Sequence, residues 1–559
     1  MKKNVPFIIV LALTVLTFLL LYTFRTLDDN RLTSWESVFG AVSFVRILAL
    51  LVPGCILAFM LSHSTVPERY PVLFLFIMSF AAAALLWREP EMNVDASRYF
   101  TQAKHLELFG AGWFFREWGN TIAAWTDLPL MPFIYGLVFK YTGEGRMHIQ
   151  IITTLLFSFT VVLTYLMGKT LWDRETGFLG GMSLLGIPFI FTQVPLMLVD
   201  TSTMFFFTLA VYAYIKALER GGIWIAAASA ALFLAFFSKY SAWLMFSLLG
   251  VIAAVRLLEA YRTPGDPPIR SCCFRIIAPV LTGTLIAGAV MLLKYNVFAT
   301  QIGLLVSFQG PGLRRWGESF VSTLLFQTHP FVTAAAVLSV YTAWKKKDPK
   351  LFIAGWLIVL LFALQIKRIR YTIVAFPMLS LMAAYGLNAV RDRGLQRYIA
   401  FSAASCSIII AAFAYLPFLQ QTSAQNLQNA GAFLATLPGK NIEVVTLPGK
   451  DDEVNIAVYV PVLDIFTHKR IHYNYHPEYV PQPEEIAISS FRFSWIYRNP
   501  EYYAGNPPPS EAAVAVIAGG PIPALPEEVA AKVNKFGNSK AFAITDDVFD
   551  RQTLVTVYY

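Results

Sequence analysis

The run Tyr70-Pro71-Val72-Leu73-Phe74-Leu75-Phe76-Ile77-Met78-Ser79-Phe80-Ala81-Ala82-Ala83-Ala84-Leu85-Leu86-Trp87 carries no charge, and soon after it comes Asn93-Val94-Asp95-Ala96-Ser97-Arg98-Tyr99. A helix needs about 20 mostly apolar residues to cross the hydrocarbon of a bilayer. The first stretch therefore reads as a span and the second as the polar opening of a loop at its mouth. The rest of the chain has the same character. With 56% hydrophobic residues, 14% charged and a mean hydropathy of +0.56 over 559 residues, it lacks the polar surface of a soluble globule and reads as an all-α polytopic membrane protein.

Thirteen apolar runs are candidate spans, at about 6–23, 43–62, 70–87, 148–169, 176–193, 201–217, 222–238, 241–256, 276–294, 327–344, 351–366, 371–390 and 398–417. Lys2 and Lys3 precede the first in the manner of a signal anchor, and no small-residue cleavage site follows it. Positive residues resist translocation. A cytoplasmic N-terminus puts the short basic loops inside: Lys169 with Arg174, Lys216 with Arg220, Arg256 to Arg275, Lys345-Lys346-Lys347, and Arg391 to Arg397. An odd number of spans then exports everything after about residue 418. The net charge of +9 is thus mostly topology, and no basic patch with interleaved stacking aromatics points to nucleic acid. Cys55, Cys272, Cys273 and Cys406 fall in spans or inner loops, so the exported regions hold no disulfide or cysteine-based zinc site.

Two outer regions are too large to be connectors. The loop 88–147 holds Asp95, an amphipathic segment through Phe109, the aromatics Trp113, Phe114, Phe115, Trp118 and Trp125, and then Asp127-Leu128-Pro129-Leu130. Amphipathic helices and interfacial rings favour the headgroup level, so this loop is expected to lie along the membrane and cover a lipid-linked ligand. It counts with the transmembrane domain, 1–417. The tail, 418–559, reads as a small α/β module: a helix over 426–436, strands at 441–446, 512–517 and 553–559, a helix over 526–536, and Tyr- and Pro-rich loops at 472–509.

Polar residues gather where spans meet the outside. Asp200-Thr201-Ser202-Thr203 starts one span, Lys239-Tyr240-Ser241 joins two, and Lys367-Arg368-Ile369-Arg370-Tyr371 joins two more. Charges at membrane depth are expensive and usually have a partner or a task. A phosphate-linked sugar donor needs Lys or Arg to hold its leaving group, and a hydroxyl acceptor needs a carboxylate to take its proton. Asp95 suits the second role, and Lys239, Arg314, Arg315, Lys367, Arg368 or Arg370 the first.

In their order and topology these residues resemble the membrane-embedded C-type glycosyltransferases (GT-C), most closely the protein O-mannosyltransferase and lipid A aminoarabinose transferase group. The resemblance spans about 90–390 and rests on Asp95-Ala96-Ser97-Arg98-Tyr99, Asp127-Leu128-Pro129-Leu130, Leu198-Val199-Asp200, and Lys367-Arg368-Ile369-Arg370-Tyr371 with Pro377. It implies transfer of a monosaccharide from a polyprenyl-phosphate donor to a glycan, lipid or protein acceptor at the outer face of the plasma (inner) membrane. It also implies Asp95 and Asp200 as the catalytic acids, the late basic cluster on the lipid phosphate, and Arg98, Tyr99, Asp127 and Tyr371 in substrate positioning. Relatives often place a Lys before Pro-Pro-Leu. Here Asp127-Leu128-Pro129-Leu130 stands instead, so that phosphate contact comes from elsewhere or is lost.

Plainer readings stand beside these. Asp95 and Asp200 each precede a helical stretch and could be N-caps. Lys367, Arg368 and Arg370 could snorkel to headgroups. His105 and His148 have no close ligand pair, and His468, His472 and His476 lie among residues that break a helix. No cofactor is required, although a divalent metal could bridge the phosphate and Asp200. A lipid or solute transporter is the alternative from another class, but it would show two related halves with broken helices, and no such repeat is present.

Overall fold

The computed structural model describes residues 5–262, 269–309, 317–422, 424–447, 454–474, 482, 484, 486, 489, 491–495, 497–505, 513–520, 524–546 and 551–559. The chain is mostly helical and divides into two units. One comprises 1–87, 153–195 and 199–417; the other comprises 88–152, 196–198 and 418–559.

The first unit is built of apolar helices. Among the described residues of the whole chain, eight are long and apolar enough to cross a membrane: Val5–Thr23, Phe44–Ser62, Arg146–Leu171, Asp200–Arg220, Ser241–Arg262, Arg270–Leu293, Ile369–Leu387 and Arg393–Leu419. The other five expected runs are shorter or broken helices: Pro71–Ala84, Arg174–Leu184 followed by Pro188–Phe191, Ile223–Phe236, Pro330–Lys346 and Leu351–Ala363. The protein is a multi-pass membrane protein. Most residues of the best apolar stretch of Ile369–Leu387 are buried, whereas few of those in Val5–Thr23 and Arg270–Leu293 are. A helix apolar all round and mostly uncovered by protein needs lipid as its solvent.

Small residues let these helices approach closely. A Cβ on Gly168 would lie 2.7 Å from the Cα of Gly177, which sits on the adjacent helix Arg174–Leu184. Arg397 ties Arg393–Ile410 to that helix through Glu175, with Nη2 to Oε2 at 2.5 Å, and it also pairs with Glu68.

In the second unit, strands β1 (Asn441–Leu447), β2 (Arg470–His472), β3 (Ala513–Ala518), β4 (Ser539–Asp546) and β5 (Arg551–Tyr558) form one sheet in the order β2-β1-β3-β5-β4. β1 pairs parallel with β2 and β3, while β5 pairs antiparallel with β3 and β4. Alternate residues of a strand point to opposite faces, and β3 is buried throughout. Ala513, Ala515 and Ile517 face a core made with the helices Gln425–Thr436 and Tyr459–Ile465. Val514, Val516 and Ala518 face a smaller one closed by Val529 and Val533 of Glu527–Val533. The apolar segment Ile456–Ile465 is accordingly a core element of this layered module rather than a span.

The loop at 88–147 folds with the tail in this unit. It forms the helices Asn93–Phe109, Ala111–Glu117 and Leu130–Thr142. The first and third cross closely at Gly136, where a Cβ would meet the Ala103 carbonyl oxygen at 2.7 Å. Asn93–Phe109 buries polar as well as apolar residues, Arg98, Gln102 and His105 among them. An amphipathic helix lying on headgroups would leave its polar side wet; this one is enclosed by protein.

Candidate functional site

Most of the charged residues singled out in the sequence fall, among the described residues, into two clusters, one in each unit. In the second unit the cluster starts from helical spacing: Asp95, Arg98 and Gln102 stand three and four residues apart and so share a face. Asp95 lies inside the first turn of its helix and is not its cap; Met92 holds that position. An acid there is favoured by the helix dipole, and its side chain keeps 24% of its surface exposed. Arg98 Nη1 lies 3.6 Å from Asp95 Oδ1. The rest of that guanidinium grips Asp127: Nε donates to Oδ2 at 3.1 Å, and Nη2 pairs with Oδ1. Gln102 Nε2 donates to the same Oδ2 at 3.0 Å. Burial pushes the Asp127 carboxyl up, against the pull of Arg98.

Asp127 is presented by a tight turn in which its backbone N–H donates to the Ala124 carbonyl at 2.8 Å. Within that turn Trp125 has φ 43°, a left-handed conformation seldom adopted by a bulky residue. Pro129 then precedes the helix Leu130–Thr142. Tyr99 is buried.

In the first unit Asp200 is the first residue of the helix Asp200–Arg220, whose cap is Val199. Its carboxylate is buried and pairs with Lys239 through Oδ1, while Arg370 Nε donates to Oδ2 at 2.9 Å. The Lys239 ammonium lies 5.4 Å from the centre of the Tyr371 ring. Arg368 stands over the same ring at 5.2 Å and donates from Nη1 to the phenol oxygen at 3.3 Å. One acid therefore gathers the two cations, and one ring receives Lys239 and Arg368. Lys367 is exposed, and its carbonyl accepts from the Thr323 hydroxyl at 3.1 Å.

Glu318 is an addition that sequence reasoning passed over. It is buried, accepts from the Ile369 N–H at 3.1 Å and faces Arg368 Nε at 4.0 Å. Burial raises its carboxyl to about 7. Its only sequence signal was an acid a few residues before a span. Gln102 was also missed, although its spacing of four from Arg98 placed it on the same face. Arg314, Arg315 and His476 lie outside the described residues.

Neither cluster is a metal centre by its donors. Among the described residues no group of three or more His, Cys, Asp and Glu side chains is placed to hold a metal ion. Asp200 gives one carboxylate oxygen to Lys239 and the other to Arg370. A metal bridged there would have to displace or face two positive charges, so these residues do not fit one.

Residues 127–262 match the family model described as dolichyl-phosphate-mannose-protein mannosyltransferase. The matched segment includes Asp127, Asp200 and Lys239. The structure is similar to that of apo ArnT from Cupriavidus metallidurans, with a TM-score of 0.53 at 12% identity, covering 88% of this chain and 98% of that one. The fold is shared with ArnT. The same protein bound to undecaprenyl phosphate matches with a TM-score of 0.52, the same identity and the same coverage. An Archaeoglobus fulgidus oligosaccharyltransferase tethered to an acceptor peptide matches at a TM-score of 0.45 and 12% identity, over 73% of this chain and 64% of that one. No curated protein matches the sequence.

Proposed function

We propose that this protein is an integral membrane glycosyltransferase that moves a monosaccharide from a polyprenyl-phosphate donor to an acceptor hydroxyl at the outer face of the plasma membrane. The observation that carries the reading is Asp95: a part-exposed carboxylate beside a guanidinium whose remaining edge already serves a buried acid. A carboxylate that keeps part of its surface exposed is placed to accept a proton. The shared ArnT fold, solved for that protein with undecaprenyl phosphate bound, and the mannosyltransferase match over 127–262 support the donor class.

In this reading the acceptor O–H gives its proton to Asp95 as its oxygen attacks the anomeric carbon. The bond from that carbon to the phosphate oxygen breaks, the configuration inverts, and polyprenyl phosphate departs as an anion. Lys239, Lys367, Arg368 and Arg370 hold that anion, four cations set against Asp200 and Glu318. Asp200 fixes the direction of Lys239 and Arg370, and Tyr371 those of Lys239 and Arg368. Arg98 and Asp127 orient Asp95. With thirteen spans in 1–417 and a cytoplasmic N-terminus, the module 418–559 stands outside and recognises the acceptor.

The test is transfer in reconstituted membranes from a panel of radiolabelled polyprenyl-phosphate sugars to a host membrane extract, wild type against Asp95→Asn. The expected result is a loss of 10²-fold or more, the scale of general base catalysis, with donor binding intact. Equal transfer by the variant removes Asp95 as the base. Transfer from no donor by the wild type favours lipid or solute transport.

A further inference from the structure

Phe493 lies in the short helix Arg492–Trp495 of the tail, and its ring centre is 5.3 Å from the Arg98 guanidinium carbon. The ring of Trp125 stands at the same distance. Val94, the residue before Asp95, and Trp125 both pack against the larger apolar core of the tail. Farther along the same helix Lys104 Nζ reaches the buried tail residue Asp464, with Oδ2 at 2.5 Å. The helix that carries Asp95 is thus seated on the tail by an apolar contact, a ring contact and an ion pair.

A guanidinium is planar. Its edge bonds to carboxylates, while its faces are held by aromatic rings. Asp127 takes the edge of Arg98, and Nη1 faces Asp95. What remains to fix is the tilt of the plane, and the two rings are placed to fix it. Of these, Phe493 comes from a segment some 400 residues away in sequence.

We propose that Phe493 is a positioning residue for sugar transfer: it holds the plane of Arg98, and through Arg98 the orientation of Asp95. The tail module is then part of the apparatus that takes the acceptor proton, in addition to any part in recognising the acceptor. This inference rests on the transferase reading above.

The experiment measures transfer from the donor panel by Phe493→Leu, Phe493→Ala and Phe493→Tyr in the full-length reconstituted protein, with wild type and Asp95→Asn as references. Phe493→Leu keeps the apolar bulk and removes the ring face. It is expected to lower kcat on the order of tenfold with donor KM unchanged, and Phe493→Tyr to restore the rate. Wild-type kcat in Phe493→Leu, a change confined to KM, or a loss that Phe493→Tyr does not restore would overturn the inference while Asp95→Asn still reports on the transferase reading. If Phe493→Ala fails to fold, the Leu and Tyr variants decide. If the wild type transfers from no donor, the transferase reading fails and this inference with it.

Discussion

The cluster around Arg98 sets two carboxylates against one cation, whereas that around Asp200 sets two cations against one carboxylate. Both include an acid in the first turn of a helix, yet their imbalance has opposite sign. A site with surplus carboxylate suits taking a proton, and a site with surplus cation suits holding a phosphate. The imbalance also decides what each cluster loses when an acid is removed.

The largest effect is expected at Asp200. Asp200→Asn leaves Lys239 and Arg370 without their counter-charge, and breaking a buried pair from one side costs roughly 3–5 kcal/mol. Asp127→Asn is expected to cost less, because Arg98 keeps Asp95 at 3.6 Å. Thermal unfolding of the two variants in detergent measures the difference. An equal loss in both would show that the sign of the imbalance does not matter. The double variant Asp200→Leu with Arg370→Met should recover part of the stability lost in Asp200→Asn, since it leaves fewer buried charges unpaired.

Much of this contrast could not be read along the chain. The apolar runs were legible because length and hydropathy alone select them, and all thirteen correspond to helices, five of them shorter than a full span or broken. Asp200, Lys239 and Arg370 were visible as costly charges, Asp95 as an acid opening an outer loop, and Arg98 only through the family resemblance. Their partners were not, since Lys239 and Arg370 reach Asp200 across 39 and 170 residues of sequence. The N-cap reading of both acids failed because each helix starts before or at the acid. In the tail, β2 and β4 went unseen. β2 has only three residues, and β4 is an edge strand bearing Lys540, where pairing rather than pattern makes the strand. Phe493 lay in a Tyr- and Pro-rich stretch without periodicity, so its contact with Arg98 had no sequence signal.

Glu318 gives the next largest effect and sharpens the cation-rich side. Its carboxyl rises from 4.5 to about 7 in the folded protein because it is buried. The folded state therefore holds a proton that the unfolded chain releases earlier. The stability this brings is full below pH 4.5 and is lost as pH rises through 7. Across that interval the loss is on the order of 3 kcal/mol. Glu318→Gln cannot ionise, so its melting temperature should fall less than that of wild type between pH 5 and 8. Parallel curves for the two proteins would mean that Glu318 is already ionised beside Arg368 and that the cluster is less cation-rich than its geometry implies.

Lys367 gives the smallest effect and the cleanest separation of binding from folding. Its side chain is exposed, and the contact that anchors its residue is made by the main-chain carbonyl. Truncation to Ala keeps that carbonyl, so stability should change by no more than about 0.5 kcal/mol, as for surface substitutions generally. An exposed lysine that meets the donor phosphate contributes as a screened point charge. Lys367→Ala should then raise donor KM by roughly three- to tenfold at low salt, and the gap from wild type should narrow as salt is added. Arg370→Lys, by contrast, alters a buried fork bonded to Asp200 and should reduce stability and donor binding together. If Lys367→Ala leaves donor KM unchanged at every salt concentration, Lys367 is removed from the proposed phosphate-holding set.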